Sequence, residues 1–197
     1  MSILIGCVFI LWLYLMTVFN RGKLHFFKFV FGAVGIFFFL MTFFEPYLVS
    51  LLSRLVTIAA GIIGDATGYY KTFHEYSLIL ISRNEETISL YIDYECSGVI
   101  EILAFISLLC FFPVYNILEK IAGCILGAFW IFMSNVLRLF IICSLVYYYG
   151  NNIFYFAHTL FGRIVFYTLS IILYFHVFTK AQIKRQKIGD VSYGDDI

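Results

Sequence analysis

A thiol, an imidazole and a guanidinium held together can run acyl transfer. The thiolate attacks a carbonyl, the imidazole shuttles the proton, and the guanidinium stabilises the oxyanion. Three residues of this chain qualify by type and setting. Cys96 lies in Asp93-Tyr94-Glu95-Cys96-Ser97-Gly98, whereas Cys7, Cys110, Cys124 and Cys143 lie inside apolar runs. Small buried hydrophobe is the ordinary role of a cysteine in such a run. Five cysteines without close spacing give neither a disulfide framework nor a zinc pattern. Arg138 interrupts a long apolar stretch one turn after Asn135, and His158 precedes another.

The elements that must position these residues are membrane helices. Hydrophobic residues make up 62% of the 197, charged ones 13%, and the mean hydropathy is +0.95. A soluble domain carries about a quarter charged residues. The 24 Phe and 15 Tyr suit lipid contact and interfacial belts. The expected fold is an all-α polytopic membrane protein with about five to six transmembrane helices and a small extracytoplasmic hairpin. Residues 1–180 form the single transmembrane domain, 65–95 the extracytoplasmic insertion and 181–197 a cytoplasmic polar tail. Ser2–Phe19 is long enough to span and lacks the features of a cleavable signal peptide. Phe29–Phe44 is the second span, closed by Glu45-Pro46. Tyr47–Gly64 carries Ser50, Ser53 and Arg54 and reads as an interfacial or re-entrant helix; if it crosses, the count changes by one. Ser97–Phe112, Ile121–Tyr149 and Thr159–Phe178 complete the spans. Arg21, Lys23 and Lys28 place the first loop inside, as Lys180, Lys184, Arg185 and Lys187 do the tail. Within the insertion, HEYSLILIS and TISLYIDY read as two strands around Arg83-Asn84-Glu85-Glu86. That hairpin, His74–Tyr94, is positioned to gate or read a substrate.

A helix rises about 1.5 Å per residue, so sequence position gives depth. Cys96 stands roughly 24 Å along a helix from Phe112. Arg138 stands roughly 27 Å from Lys120. His158 stands roughly 33 Å from Lys180. All three reach the outer boundary from different helices. His25, His176, Cys110 and Cys124 fall on the other side. Cys143 is not excluded by depth, though its neighbours are apolar or small, and His74 is outside on the insertion.

Each residue has a plainer reading. Cys96 would serve as a structural helix-start residue; against this, a helix N-terminus acidifies a thiol, and Ser97 and Gly98 permit close backbone approach. A lone Arg138 would snorkel to the interface, although a charge in an apolar run usually faces the bundle interior with a partner. Asn135 is placed to orient it. Glu101 needs a cationic or protonated partner, with Arg138 or Arg163 available. Arg163, about 7.5 Å below His158 on a regular helix, is the rival for the cationic role.

At these residues the chain resembles the exosortase/archaeosortase family of membrane cysteine transpeptidases. The matching motifs are Glu95-Cys96-Ser97-Gly98, Asn135-Val136-Leu137-Arg138, and His158 with Gly162 four residues on. The resemblance covers roughly residues 45–180, and the Lys-tailed, Phe/Tyr/Ile-rich chain is similar to the G-type exosortases of Gram-positive bacteria. It implies a nucleophile at Cys96, an essential Arg138 and a His158. It also implies membrane-anchored protein substrates with a C-terminal sorting signal, cleaved at the outer face of the plasma membrane, with the acyl group passed to an envelope acceptor nucleophile. No cofactor, metal or nucleic acid is expected. The competing readings are a non-enzymatic scaffold or transporter subunit, and an acyltransferase using a lipid or thioester donor.

Overall fold

The computed structural model describes residues 2–83, 86–92 and 94–183. Three helical segments are long and apolar enough to cross a bilayer: His25–Thr67, Ile117–Tyr149 and Asn151–Ile183. Gly6–Arg21 and Val99–Phe111 are shorter apolar helices. The protein is an all-α polytopic membrane protein carrying one small sheet.

Helix α1 (Ser2–Arg21) turns through Gly22-Lys23-Leu24 into α2 (His25–Thr67). Lys23 takes a positive φ of 55° in that turn, and Lys28 Nζ donates back to Asn20 Oδ1 at 2.9 Å. The expected break at Glu45-Pro46 does not occur. Helix α2 runs for 43 residues without interruption, so Tyr47–Gly64 is its continuation and not a separate interfacial helix. The physical reason is a comparison of costs. Proline inside a helix costs about 3 kcal/mol. Ending the helix there would orphan backbone groups at the new ends and undock Val56 and Ala60, further along, from the core they share with the sheet. Continuation wins.

The sheet has three antiparallel strands in the order β1 (Lys71–Phe73), β2 (Leu78–Arg83), β3 (Glu86–Tyr91). Two were expected; β1 has too few residues to show alternation. The hairpin tip at Asn84 and Glu85 lies outside the described residues, as does the tail from Lys184. Ile79, Ile81, Leu90 and Ile92 turn inward onto Val56 and Ala60 of α2 and form one core with the later half of α5. Tyr70 locks this docking by donating its hydroxyl to the Ala60 carbonyl at 2.8 Å. Burial, then the neighbouring Cys143 and Asp65, push that phenol well above its usual range.

A short turn of helix, α3 (Tyr94–Ser97), leads through Gly98 into α4 (Val99–Phe111). Helix α5 (Ile117–Tyr149) starts four residues earlier than expected, because Asn116 and Glu119 form a capping box. Ser134, Asn135 and Arg138 do not interrupt α5; all three are buried on its inward face. The last span is one helical run: a π-helical turn Phe156–Phe161, α6 (Gly162–Tyr174) and a second π turn Phe175–Thr179. Small residues set the helix approach, with Gly127 of α5 facing the Phe105 ring of α4 and Gly162 facing Ile142. Below the sheet core, Ile102, Phe105, Leu109, Ile131 and Phe166 form a second core between α4, α5 and α6.

Candidate functional site

The two cores meet around Cys96, which is 3% exposed. It was expected at the start of a transmembrane helix, acidified by that helix's dipole. Cys96 instead sits in α3, two residues before Gly98, the residue that caps α4. The dipole contribution is correspondingly weaker, since it acts within the first turn. Gly98 takes a φ of 77°, a left-handed conformation natural to glycine. That reversal turns the Cys96 carbonyl toward α5, where the Asn135 amide donates to it. Ser97 is buried, and its hydroxyl accepts from the Val99 amide at 3.4 Å.

The structure brings Cys96, His158 and Arg138 together. Cys96 Sγ lies 3.3 Å from His158 Nε2. The Arg138 guanidinium donates from Nη2 toward the same sulfur at 3.9 Å. The three residues come from α3, the π turn and α5. His158 stacks on Phe154, ring centroids 5.8 Å apart and planes within 14°. A π turn is a frequent local device for aiming a functional side chain. Arg138 is 4% exposed, and its guanidinium carbon lies 5.9 Å from the Phe166 ring centroid. Its Nε has no hydrogen-bond partner among the described residues.

Two expected pairings are not made. Asn135 orients the Cys96 backbone, not Arg138. Among the described residues, Arg138 forms no ion pair with Glu101; its guanidinium faces the sulfur and the Phe166 ring instead. Arg163, the rival cation, is exposed at the start of α6. His74 is exposed on the turn between β1 and β2, and Cys143 is fully buried in the apolar core. His25 and His176 lie at the far ends of α2 and of the last span. Cys110 is also at the far end, where its carbonyl accepts from Lys120.

Sequence reasoning missed Phe154 and Phe166. Phe154 is four residues before His158, a one-turn spacing that signals contact. Phe166 carried no such signal, because it meets Arg138 from another helix.

Chemically, the Sγ–Nε2 contact allows the thiol proton to pass to the imidazole, with a second cation beside the resulting thiolate. The low exposure strengthens each electrostatic contact. A family model for transmembrane exosortases matches residues 2–175. No curated protein and no solved structure matches the chain.

Proposed function

The chain belongs to the transmembrane exosortase family, and from that premise we propose that it is a cysteine transpeptidase whose nucleophile is Cys96, with His158 as proton shuttle and Arg138 as oxyanion donor. Family membership supports a membrane transpeptidase role in general. The observation that carries the residue assignment is the 3.3 Å contact between Cys96 Sγ and His158 Nε2, with the Arg138 guanidinium on the same sulfur.

The steps follow from those positions. His158 takes the thiol proton, and the sulfur attacks the carbonyl carbon of a peptide bond. The new oxyanion is held by Arg138. When the C–N bond breaks, His158 returns the proton to the departing amine, leaving a thioester on Cys96. An acceptor amine or hydroxyl then gives its proton to His158, attacks the thioester and releases the thiol. Asn135, Ser97 and Gly98 position the nucleophile's backbone. Glu101 and Arg163 have supporting places in the surrounding charge distribution.

Basic residues at the end opposite the sheet (Arg21, Lys23, Lys28, Lys120 and Lys180) favour a plasma-membrane orientation with that end cytoplasmic. The sheet and the trio then face the extracytoplasmic side. The substrates are membrane-anchored proteins with a C-terminal sorting signal, and the acceptor belongs to the envelope.

The test is a Cys96→Ala strain in which the protein accumulates at parental levels. Membrane-anchored precursors should build up uncleaved, and mass spectrometry of the parental strain should find a thioester on Cys96. Parental processing of every membrane protein in the Cys96→Ala strain sinks the proposal and favours a scaffold role. A thioester carrying a lipid acyl group redirects it to a lipid donor.

A further inference from the structure

The α2 residues Pro46 to Arg54 and the base of the sheet, including Glu75, Tyr91 and Ile92, enclose a cleft of ≈ 790 Å³ that the chemistry above does not use. Pro46 stands about 27 Å along α2 from Lys28. A hydrocarbon core is about 30 Å thick. The cleft therefore begins near the boundary opposite the Lys28 end. Ile92 lies in its wall and shares a core with Cys96. The cleft adjoins the nucleophile's segment on the α2 side, while His158 and Arg138 approach from the last span and α5.

Two observations identify what fits. The first is Ser53, which lines the cleft, is 3% exposed, and has no hydrogen-bond partner for its hydroxyl among the described residues. Ser107, Ser134 and Ser144 return that bond to the carbonyls of Leu103, Trp130 and Phe140, four residues back, whereas Ser170 on α6, outside this cleft, does not. Nor does Ser53, and a buried hydroxyl left unpaired is costly. The second is the open edge of β3. Ile92 donates to the Ser77 carbonyl at 2.9 Å, and Leu78 pairs with Tyr91 in the register of the sheet. Alternation then turns the amides and carbonyls of Ile92, Leu90 and Ile88 toward β2, and those of Tyr91, Ser89 and Thr87 away from it. Thr87, Ser89 and Tyr91 are exposed, and Tyr91 also lines the cleft. Unpaired strand groups beside a cleft are the standard requirement for adding a further strand. The walls carry Arg54 on α2 and Glu75 on the sheet side, which form no ion pair with each other among the described residues. One charge of each sign suits a dipolar polypeptide better than an anionic lipid headgroup.

We propose that this cleft, continued along the open edge of β3, binds the acyl-donor polypeptide in extended form as a fourth strand. Thr87, Ser89 and Tyr91 pair with its backbone, and Ser53 bonds one of its polar groups. The strand runs toward the residue it serves, since Tyr91 precedes Cys96 by five positions. This rests on the transpeptidase reading.

The probe is a synthetic peptide copying the segment on the amino-terminal side of the cleavage position in a precursor that accumulates in the Cys96→Ala strain. It competes with the precursor for full-length enzyme in nanodiscs. The peptide is then N-methylated at one amide at a time. Strand addition predicts alternation: methylation at every second amide weakens competition about tenfold, the loss of one hydrogen bond plus a clash, and the intervening ones change it little. Ser53→Ala should weaken the unmodified peptide about threefold to tenfold and leave the alternation intact. Uniform tolerance of N-methylation, or losses without a period of two, overturns the proposal while leaving the transpeptidase reading in place. Competition by polysaccharide or phospholipid headgroups but not by the peptide also overturns it. If no precursor accumulates in the Cys96→Ala strain, the transpeptidase reading itself has failed.

Discussion

The Cys96 sulfur has an imidazole nitrogen at 3.3 Å and a guanidinium nitrogen at 3.9 Å, in a site whose cysteine and arginine are both buried. If the imidazole carries the proton, His158→Gln should lower the cleavage rate about a hundredfold to ten-thousandfold. The check is single-turnover cleavage of an accumulated precursor; a loss of less than about tenfold removes His158 from the chemistry. Arg138→Lys keeps a positive charge but loses the planar fork. On the oxyanion assignment it should cost about a hundredfold in cleavage rate with KM little changed; a pure KM effect would make Arg138 a binding residue. The trio was legible in the sequence because each member is chemically out of place: a thiol in polar company, a cation in an apolar run, an isolated imidazole. Their partners were less so. Asn135 stands one turn before Arg138, which suggested that pair. The amide reaches the Cys96 carbonyl only because Gly98 reverses the chain, and a sequence does not print φ.

At the scale of the element, Gly98 and Pro46 make opposite predictions. Gly98→Ala imposes a left-handed conformation on a residue with a Cβ, at about 1–2 kcal/mol. It should lower the midpoint of thermal unfolding in detergent and reduce cleavage, because the Cys96 carbonyl would leave Asn135. An unchanged midpoint would mean that the turn relaxes freely. Pro46→Ala should raise the midpoint, since the helix already runs through that position and regains a bond. A lowered midpoint would show that proline shapes the cleft wall. Helix ends with side-chain caps were readable in principle, as the Asn116–Glu119 box at α5 illustrates. The continuity of α2 was not. Proline is a breaker by local propensity, and the docking of the helix beyond it on the sheet, set by distant segments, reverses that preference.

Across the whole molecule, Arg21, Lys23, Lys28, Lys120 and Lys180 lie at the end opposite the sheet, which makes orientation testable. In a variant whose exposed Cys7 and Cys110 are replaced by alanine, Tyr76→Cys should react with a membrane-impermeant maleimide on intact cells and Lys23→Cys should not. Labelling of Lys23→Cys alone would invert the topology and place the trio on the cytoplasmic side. The sequence by itself determined that this chain lives in a bilayer, roughly how many times it crosses, and which three side chains arrive at one depth. Hydropathy and the rise of a helix per residue are local quantities that add along the chain. Only the tertiary structure decided what lies beside what at that depth. Rotation about each helix axis, the π turn under His158, the Phe166 ring against Arg138 and the docking of the sheet on α2 are set by packing between distant segments. Depth brought Cys96, Arg138 and His158 to the same level; packing turned them toward one sulfur.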